Sequence, residues 1–147
     1  MPVFESIKIK ELILNNRLVR SATAERIRID DASQAERLSE YYVALATGGV
    51  GLIITGHICV SPNGKIGPLM TVLNDAAQIA LWKIIADKTH EAGGLLIAQI
   101  SHGGGRCQAP AVEEPICVSR IERKNDPLLG SEMTNEQIEE IIAAFAE

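Results

Sequence analysis

The stretch Thr47-Gly48-Gly49-Val50-Gly51-Leu52-Ile53-Ile54 decides the fold. Val50 to Ile54 is apolar on both faces, the pattern of a parallel strand buried between two layers. The residues before it read as a helix with Leu38, Tyr42 and Leu45 on one face, stopped by Gly48-Gly49. Ser33 followed by Glu36 gives that helix a capping box, in which hydroxyl and carboxylate each satisfy a backbone group of the first turn. A helix therefore enters a buried strand through a pair of glycines and nothing more.

Moving outward, the same unit recurs. A loop with Ser61-Pro62-Asn63-Gly64 leads to Asn74 or Asp75 as a cap. The helix that follows carries Ile79, Trp82, Ile85 and Ala86, ends at Gly93-Gly94 and gives way to the strand candidate Leu95 to Ala98. After a long connection with Gly and Pro, Thr134 and Gln137 form another capping box, and Ile138, Ile141, Ile142 and Phe145 follow at helical spacing. Toward the N-terminus, Leu18 to Ala22 is a short strand candidate, and Ile7, Ile9, Leu12 and Leu14 alternate around Lys10-Glu11 as in a hairpin. Three βα units in a row predict a parallel sheet with right-handed crossovers. Short helix-to-strand links and long strand-to-helix loops predict a (β/α)8 barrel, whose sites are built at the carboxyl ends of its strands. An open doubly wound sheet shares part of that asymmetry and stays open as an alternative.

Composition removes several function classes. The 147 residues carry a net charge of −5 and are 46% hydrophobic but only 3% aromatic, so neither a basic stripe nor a stacking platform for nucleic acid is present. No apolar run approaches the roughly 20 residues that span a bilayer, and residues 1–10 lack a secretory pattern. Neither nucleic acid nor a membrane is expected as a partner. Cys59, Cys107 and Cys117 contain no CxxC pair, so the expectation is reduced thiols in a cytoplasmic protein and no metal site.

Several stretches resemble one family in order and spacing. They are Asn16-Arg17-Leu18-Val19-Arg20-Ser21-Ala22-Thr23, Tyr41-Tyr42 through Gly48-Gly49-Val50-Gly51-Leu52-Ile53, Val60-Ser61-Pro62-Asn63-Gly64, and Ala98-Gln99-Ile100-Ser101-His102-Gly103-Gly104. Trp82-Lys83 and His90 to Gly94 agree as well. Together they resemble the N-terminal part of the Old Yellow Enzyme / NADH:flavin oxidoreductase family, over nearly the whole chain.

The resemblance implies a barrel that binds FMN across its strand ends, takes hydride from NAD(P)H and passes it to a small-molecule substrate, an activated alkene or another acceptor. It implies that Gln99 binds the pyrimidine edge of the flavin, with the acceptor and two donors an amide offers. It also implies that the main chain of Ser21, Ala22 and Thr23 faces the ring near N5 and O4, that His57 lies beside the ring, and that His102 lines the substrate side. Two positions depart from the family: His57 stands where a small residue is usual, and Ala24 where relatives often carry a Thr or Cys that adjusts the flavin. No side chain is assigned a catalytic role.

Three parallel strands cannot close a barrel, and a complete one needs about 250 residues. Residues 1–147 are therefore expected to be the N-terminal portion of a flavin-binding TIM barrel, a hairpin plus the first three βα units cut within the third helix, binding FMN weakly alone and without turnover. The alternative from another class is a partial-barrel module that forms a homo-oligomer through its open edges and binds a ligand without redox chemistry.

Overall fold

The structure is a computed structural model that describes residues 2–107, 110–119 and 130–146. The chain divides into two compact units: Met1–His57 with Ala76–Gln99, and Ile58–Asp75 with Ile100–Glu147. In chain order the described elements are β1 (Ile7–Ile9), β2 (Leu12–Leu14), β3 (Val19–Arg20), α1 (Ala32–Thr47), β4 (Leu52–Cys59), α2 (Ala76–Glu91), β5 (Leu96–Ser101), β6 (Ile116–Cys117), β7 (Ser131–Glu132) and α3 (Asn135–Ala146). The fold is α/β: β3, β4 and β5 form one sheet in that order, with β3 parallel to β4. Among the described residues, no helix is long and apolar enough to cross a membrane.

In the first unit, β1 and β2 pair antiparallel across Lys10-Glu11, as the alternation predicts, and of their residues Leu14 alone is buried. The core is Ile29, Ala35, Leu38, Tyr42, Ala46, Ile53 and Ile85, so α1 and α2 close over the start of β4. The cap of α1 differs from expectation. Asp31, in extended backbone, accepts from the Gln34 N–H at 3.0 Å, two residues ahead of the Ser33 box. Glu36 is spent elsewhere, in an ion pair with Lys88 of α2.

The buried face of α2 also differs. Ile85 and Thr89 are buried, Leu81 and Trp82 pack against the core, and Ile79 is 58% exposed. Thr89 sits on the apolar face at no cost because its hydroxyl donates to the Ile85 carbonyl at 2.7 Å. A polar residue with its hydrogen bond satisfied inside its own helix breaks the hydrophobic pattern without breaking the packing.

Strand β4 is longer than its apolar run. It continues through Thr55-Gly56-His57 to Cys59, with only Ile54 and His57 partly exposed. Thr55 tolerates burial because its hydroxyl donates to the Gly56 carbonyl at 2.7 Å and accepts the Gln99 N–H at 3.0 Å.

In the second unit, Cys59 and Thr71–Leu73 exchange main-chain bonds, and β6 pairs with β7 in parallel, Ile116 opposite Ser131. Two-residue strands lie below what periodicity reveals; residues 108–109 and 120–129 of that long connection fall outside the described residues. The Thr134–Gln137 box is present: each backbone N–H bonds the other residue's side-chain oxygen, at 3.0 and 3.3 Å. The apolar stripe of α3 is only half-covered, with Ile138 and Ile141 half-buried, no residue buried and Ile142 56% exposed.

The α2 assignment has a direct check by urea unfolding. Ile85→Ala should cost about 2–5 kcal/mol, whereas Ile79→Ala should stay within about 0.5 kcal/mol. Equal losses would contradict the assigned face.

Candidate functional site

Arg20 is the last residue of β3, and its side chain is 11% exposed. A buried guanidinium needs acceptors for its fork of donors. Nη1 donates to the Ile54 carbonyl at 2.7 Å, and Nη2 donates to the Thr23 carbonyl at 3.0 Å and lies 2.9 Å from Glu25 Oε1. Glu25, 10% exposed, also accepts the Tyr42 hydroxyl at 2.7 Å and the Gly56 N–H at 3.0 and 3.1 Å. Arg20 stands 5.5 and 5.7 Å from the ring centroids of Tyr41 and Tyr42, within cation–π reach. Burial, then the bond to Glu25, pushes the Tyr42 phenol far above its ordinary range, so it remains a donor.

Gly56 is where β4 meets this network. A Cβ there would collide with the Glu25 carboxylate and lie 2.8 Å from the Thr23 carbonyl oxygen. Only glycine allows the loop after β3 to approach β4 so closely.

Around this network lie five of the residues singled out in the sequence. Ser21, Ala22 and Thr23 leave β3 as irregular chain, with Ser21 and Thr23 exposed. The Thr23 hydroxyl donates to the Ser21 carbonyl at 3.1 Å, while Ala22 makes no hydrogen bond among the described residues. His57 is half-buried and directly follows Gly56. Gln99 is exposed on β5, joined to β4 by its N–H bond to Thr55, and its side-chain amide donates to no described residue. The first unit thus carries all five, His57 on β4, Gln99 on β5 and the other three on the chain leaving β3. Their positions along the strands differ from expectation: β4 and β5 extend to Cys59 and Ser101, so His57 and Gln99 lie within strands rather than at their ends.

The fit to a flavin rests on this unspent polarity. An open amide on β5 and main-chain N–H groups after β3 that donate to no described residue are groups a ring with alternating acceptors and donors would satisfy. Ala24 has neither hydroxyl nor thiol, so no side-chain hydrogen bond to such a ring arises there. Arg20 and Glu25 were missed as a pair in the sequence. Their signal was an arginine inside a strand candidate, where a charge seldom lies without a partner.

The sixth residue, His102, lies in the second unit. The Gly104 N–H donates to its Nδ1 at 3.1 Å, so Nε2 carries the proton and donates to Asn63 Oδ1 at 3.1 Å. That Asn63 oxygen also accepts the Ser61 hydroxyl. A Cβ on Gly64 would come 2.5 Å from His102 Cδ2 and 2.7 Å from Cys59 Sγ, so the ring is sandwiched in its own loops. Both ring nitrogens are thus engaged within these loops. Cys59 and Cys107 are buried; burial, with Cys59 as neighbour, pushes the Cys107 thiol up to about 11, and burial raises Cys59 as well. Neither is an activated nucleophile. Among the described residues no cluster of three or more ligand side chains would hold a metal ion.

Solved structures share this fold. Morphinone reductase bound to tetrahydroNAD superposes with a TM-score of 0.83 at 18% identity, over 99% of this chain and 44% of that one. The old yellow enzyme from Trypanosoma cruzi gives 0.80 at 22%, over 98% and 45%. These superpositions show the fold, the α/β fold of Old Yellow Enzyme structures. The chain belongs to the NADH:flavin oxidoreductase / NADH oxidase family, which matches residues 2–147. It is an oxidoreductase family that uses FMN with NAD(P)H as reductant.

Among its relatives, an NADH oxidase of Thermoanaerobacter brockii is 34% identical over 149 residues, covering 99% of this chain and 23% of the oxidase. An NADPH dehydrogenase of Listeria welshimeri is 28% identical over 145 residues, covering 97% and 42%. The chain thus spans less than half the length of these relatives.

The His102 geometry predicts a pH dependence. Burial lowers its pKa from the ordinary value near 6.5. The unfolded chain then takes up the proton first as pH falls, so this contribution is complete above about pH 6.5 and is lost as pH falls through the folded value. NMR titration of the His102 ring should give a midpoint below 6.5, and His102→Asn should flatten the acid limb of the stability profile. A midpoint at or above 6.5 would contradict the bonding assigned here.

Proposed function

We propose that residues 1–147 are the first part of a flavin-binding (β/α)8 barrel. The protein carrying them moves hydride from NAD(P)H through FMN to a small-molecule acceptor, an activated alkene being the leading class. The observation that carries this reading is the open Gln99 amide on the same three-stranded sheet as His57, with the chain Ser21–Thr23, whose main-chain N–H groups donate to no described residue, leaving the neighbouring strand β3. The alkene class draws support from a cinnamate reductase of Clostridium sporogenes, 29% identical over 153 residues and covering 99% of this chain and 23% of that enzyme.

FMN, when bound, supplies the hydride-accepting and hydride-donating centre. The work of this chain is orientation. Gln99 answers the polar edge of the ring with one acceptor and two donors. The main chain of Ser21, Ala22 and Thr23 offers N–H groups to the ring's central edge, and His57 flanks it through its backbone. None of these groups exchanges a proton with substrate; they fix the ring so that its reactive face is presented to the acceptor. The groups that hold the phosphate and bind substrate belong, in this reading, to later strands of the barrel. A reducing, cytoplasmic setting suits three unpaired cysteines. The non-redox oligomerising module is not favoured, because the family match runs through residues 2–147.

A fluorescence titration with FMN, on the whole protein, tests the assignment. Gln99→Leu should raise Kd tenfold or more, about 1.4 kcal/mol, with thermal stability unchanged because the side chain is exposed. An unchanged Kd would remove Gln99 from the cofactor site. A wild-type protein that takes up no FMN and oxidises no NAD(P)H would end the flavin reading.

A further inference from the structure

The geometry points to Arg20 and Glu25 as a positioning pair, whose buried ion pair sets the separation between the Ser21–Thr23 segment and His57 and so shapes the flavin-facing edge of the sheet. The inference rests on the flavin reading above and adds residues which that reading does not use.

Three observations carry it. First, the pair spends its bonds on main chain bordering the cofactor residues. Arg20 holds the Thr23 carbonyl and the Ile54 carbonyl, and Glu25 holds the Gly56 N–H with both oxygens. One bond thus ends on a residue assigned to the ring and another on the immediate neighbour of His57. Second, a buried ion pair is an expensive way to fill space. Apolar side chains of the same volume often hold a core equally well, so retaining charge here calls for a role that packing does not supply. Third, the pair is braced on its far side. Tyr42 is fully buried in the core and donates to Glu25, and Tyr41 and Tyr42 both lie beside the guanidinium. The position of the pair is thereby tied to α1, a regular element, rather than to the loop it organises. Sites of this kind tolerate displacements of only about 0.5 Å before function suffers.

The holoprotein provides the test, with three readouts: FMN Kd, the visible absorption bands of the bound flavin, and Tm of the apoprotein. Glu25→Gln keeps the shape of the side chain but removes its charge and one acceptor. The double variant Arg20→Met with Glu25→Leu replaces the pair by apolar groups. A positioning role predicts that both raise Kd tenfold or more and shift the flavin bands, while the double variant keeps a Tm close to wild type. A double variant with wild-type Tm, Kd and spectrum would overturn the proposal.

Should the double variant not fold, Tyr42→Phe removes one bond to Glu25 and leaves the ion pair. Kd should then rise for Tyr42→Phe by less than for Glu25→Gln, and indifference of Kd and spectrum in both would equally overturn the proposal. The two readings fail differently. A wild-type protein that takes up no flavin sinks the cofactor assignment and this inference with it, whereas flavin uptake that ignores these substitutions sinks this inference alone.

Discussion

The ion pair between Arg20 and Glu25 is the constraint around which the first unit is arranged. Strand β3 is two residues long, and between it and α1 the chain has no regular structure. Such a segment has many conformations to lose on folding, at about 1–2 kcal/mol per residue for the backbone alone. It is held at two points, by Glu25 among three polar partners and by Ile29 in the apolar core. Those two anchors turn an irregular loop into a defined edge. The absence of a side chain at Gly56 lets the edge lie against β4 rather than above it.

Polar groups are distributed with a clear asymmetry. Toward the core the buried polar side chains of β4, α2 and the chain after β3 are satisfied, Thr55 by Gly56 and Gln99, Thr89 by Ile85, and Glu25 by Arg20, Tyr42 and Gly56, while the buried Trp82 indole N–H has no partner among the described residues. In the chain leaving β3 and on β5, hydrogen-bonding capacity remains unspent at Ala22 and at the Gln99 amide, and Ile97, on the same face of β5 as Gln99, is exposed. A surface that combines apolar area with a few open donors and acceptors is what a planar, partly polar ring requires. The second unit solves a different problem. His102, Asn63 and Gly64 tie two loops together through side chains whose capacity is exhausted internally.

Much of the fold was legible because it follows from periodicity and punctuation. The hairpin around Lys10-Glu11, the Thr134–Gln137 box, the helix ending at Gly48 and the parallel pairing of β3 with β4 all have local causes. The errors have local causes as well. Asp31 outcompeted Ser33 as the cap because Glu36, needed to complete the box, is drawn into an ion pair with α2. The apolar run stops at Ile54, yet a threonine with both hydroxyl functions bonded continues a buried strand without penalty. The candidate cofactor residues came from motif resemblance, since nothing in composition marks Gln99. The Arg20–Glu25–Tyr42 network was not legible, because its members are spaced by contacts in three dimensions and share no period.

The central claim is that three neighbouring strands of one unit present a single edge to a flavin. Hydrogen–deuterium exchange of the whole protein, with and without FMN, measures this most directly. The account predicts that FMN slows exchange together in peptides covering residues 19–25, 54–58 and 97–100. Slowing confined to one of these segments, or to none of them while FMN binds, would contradict it.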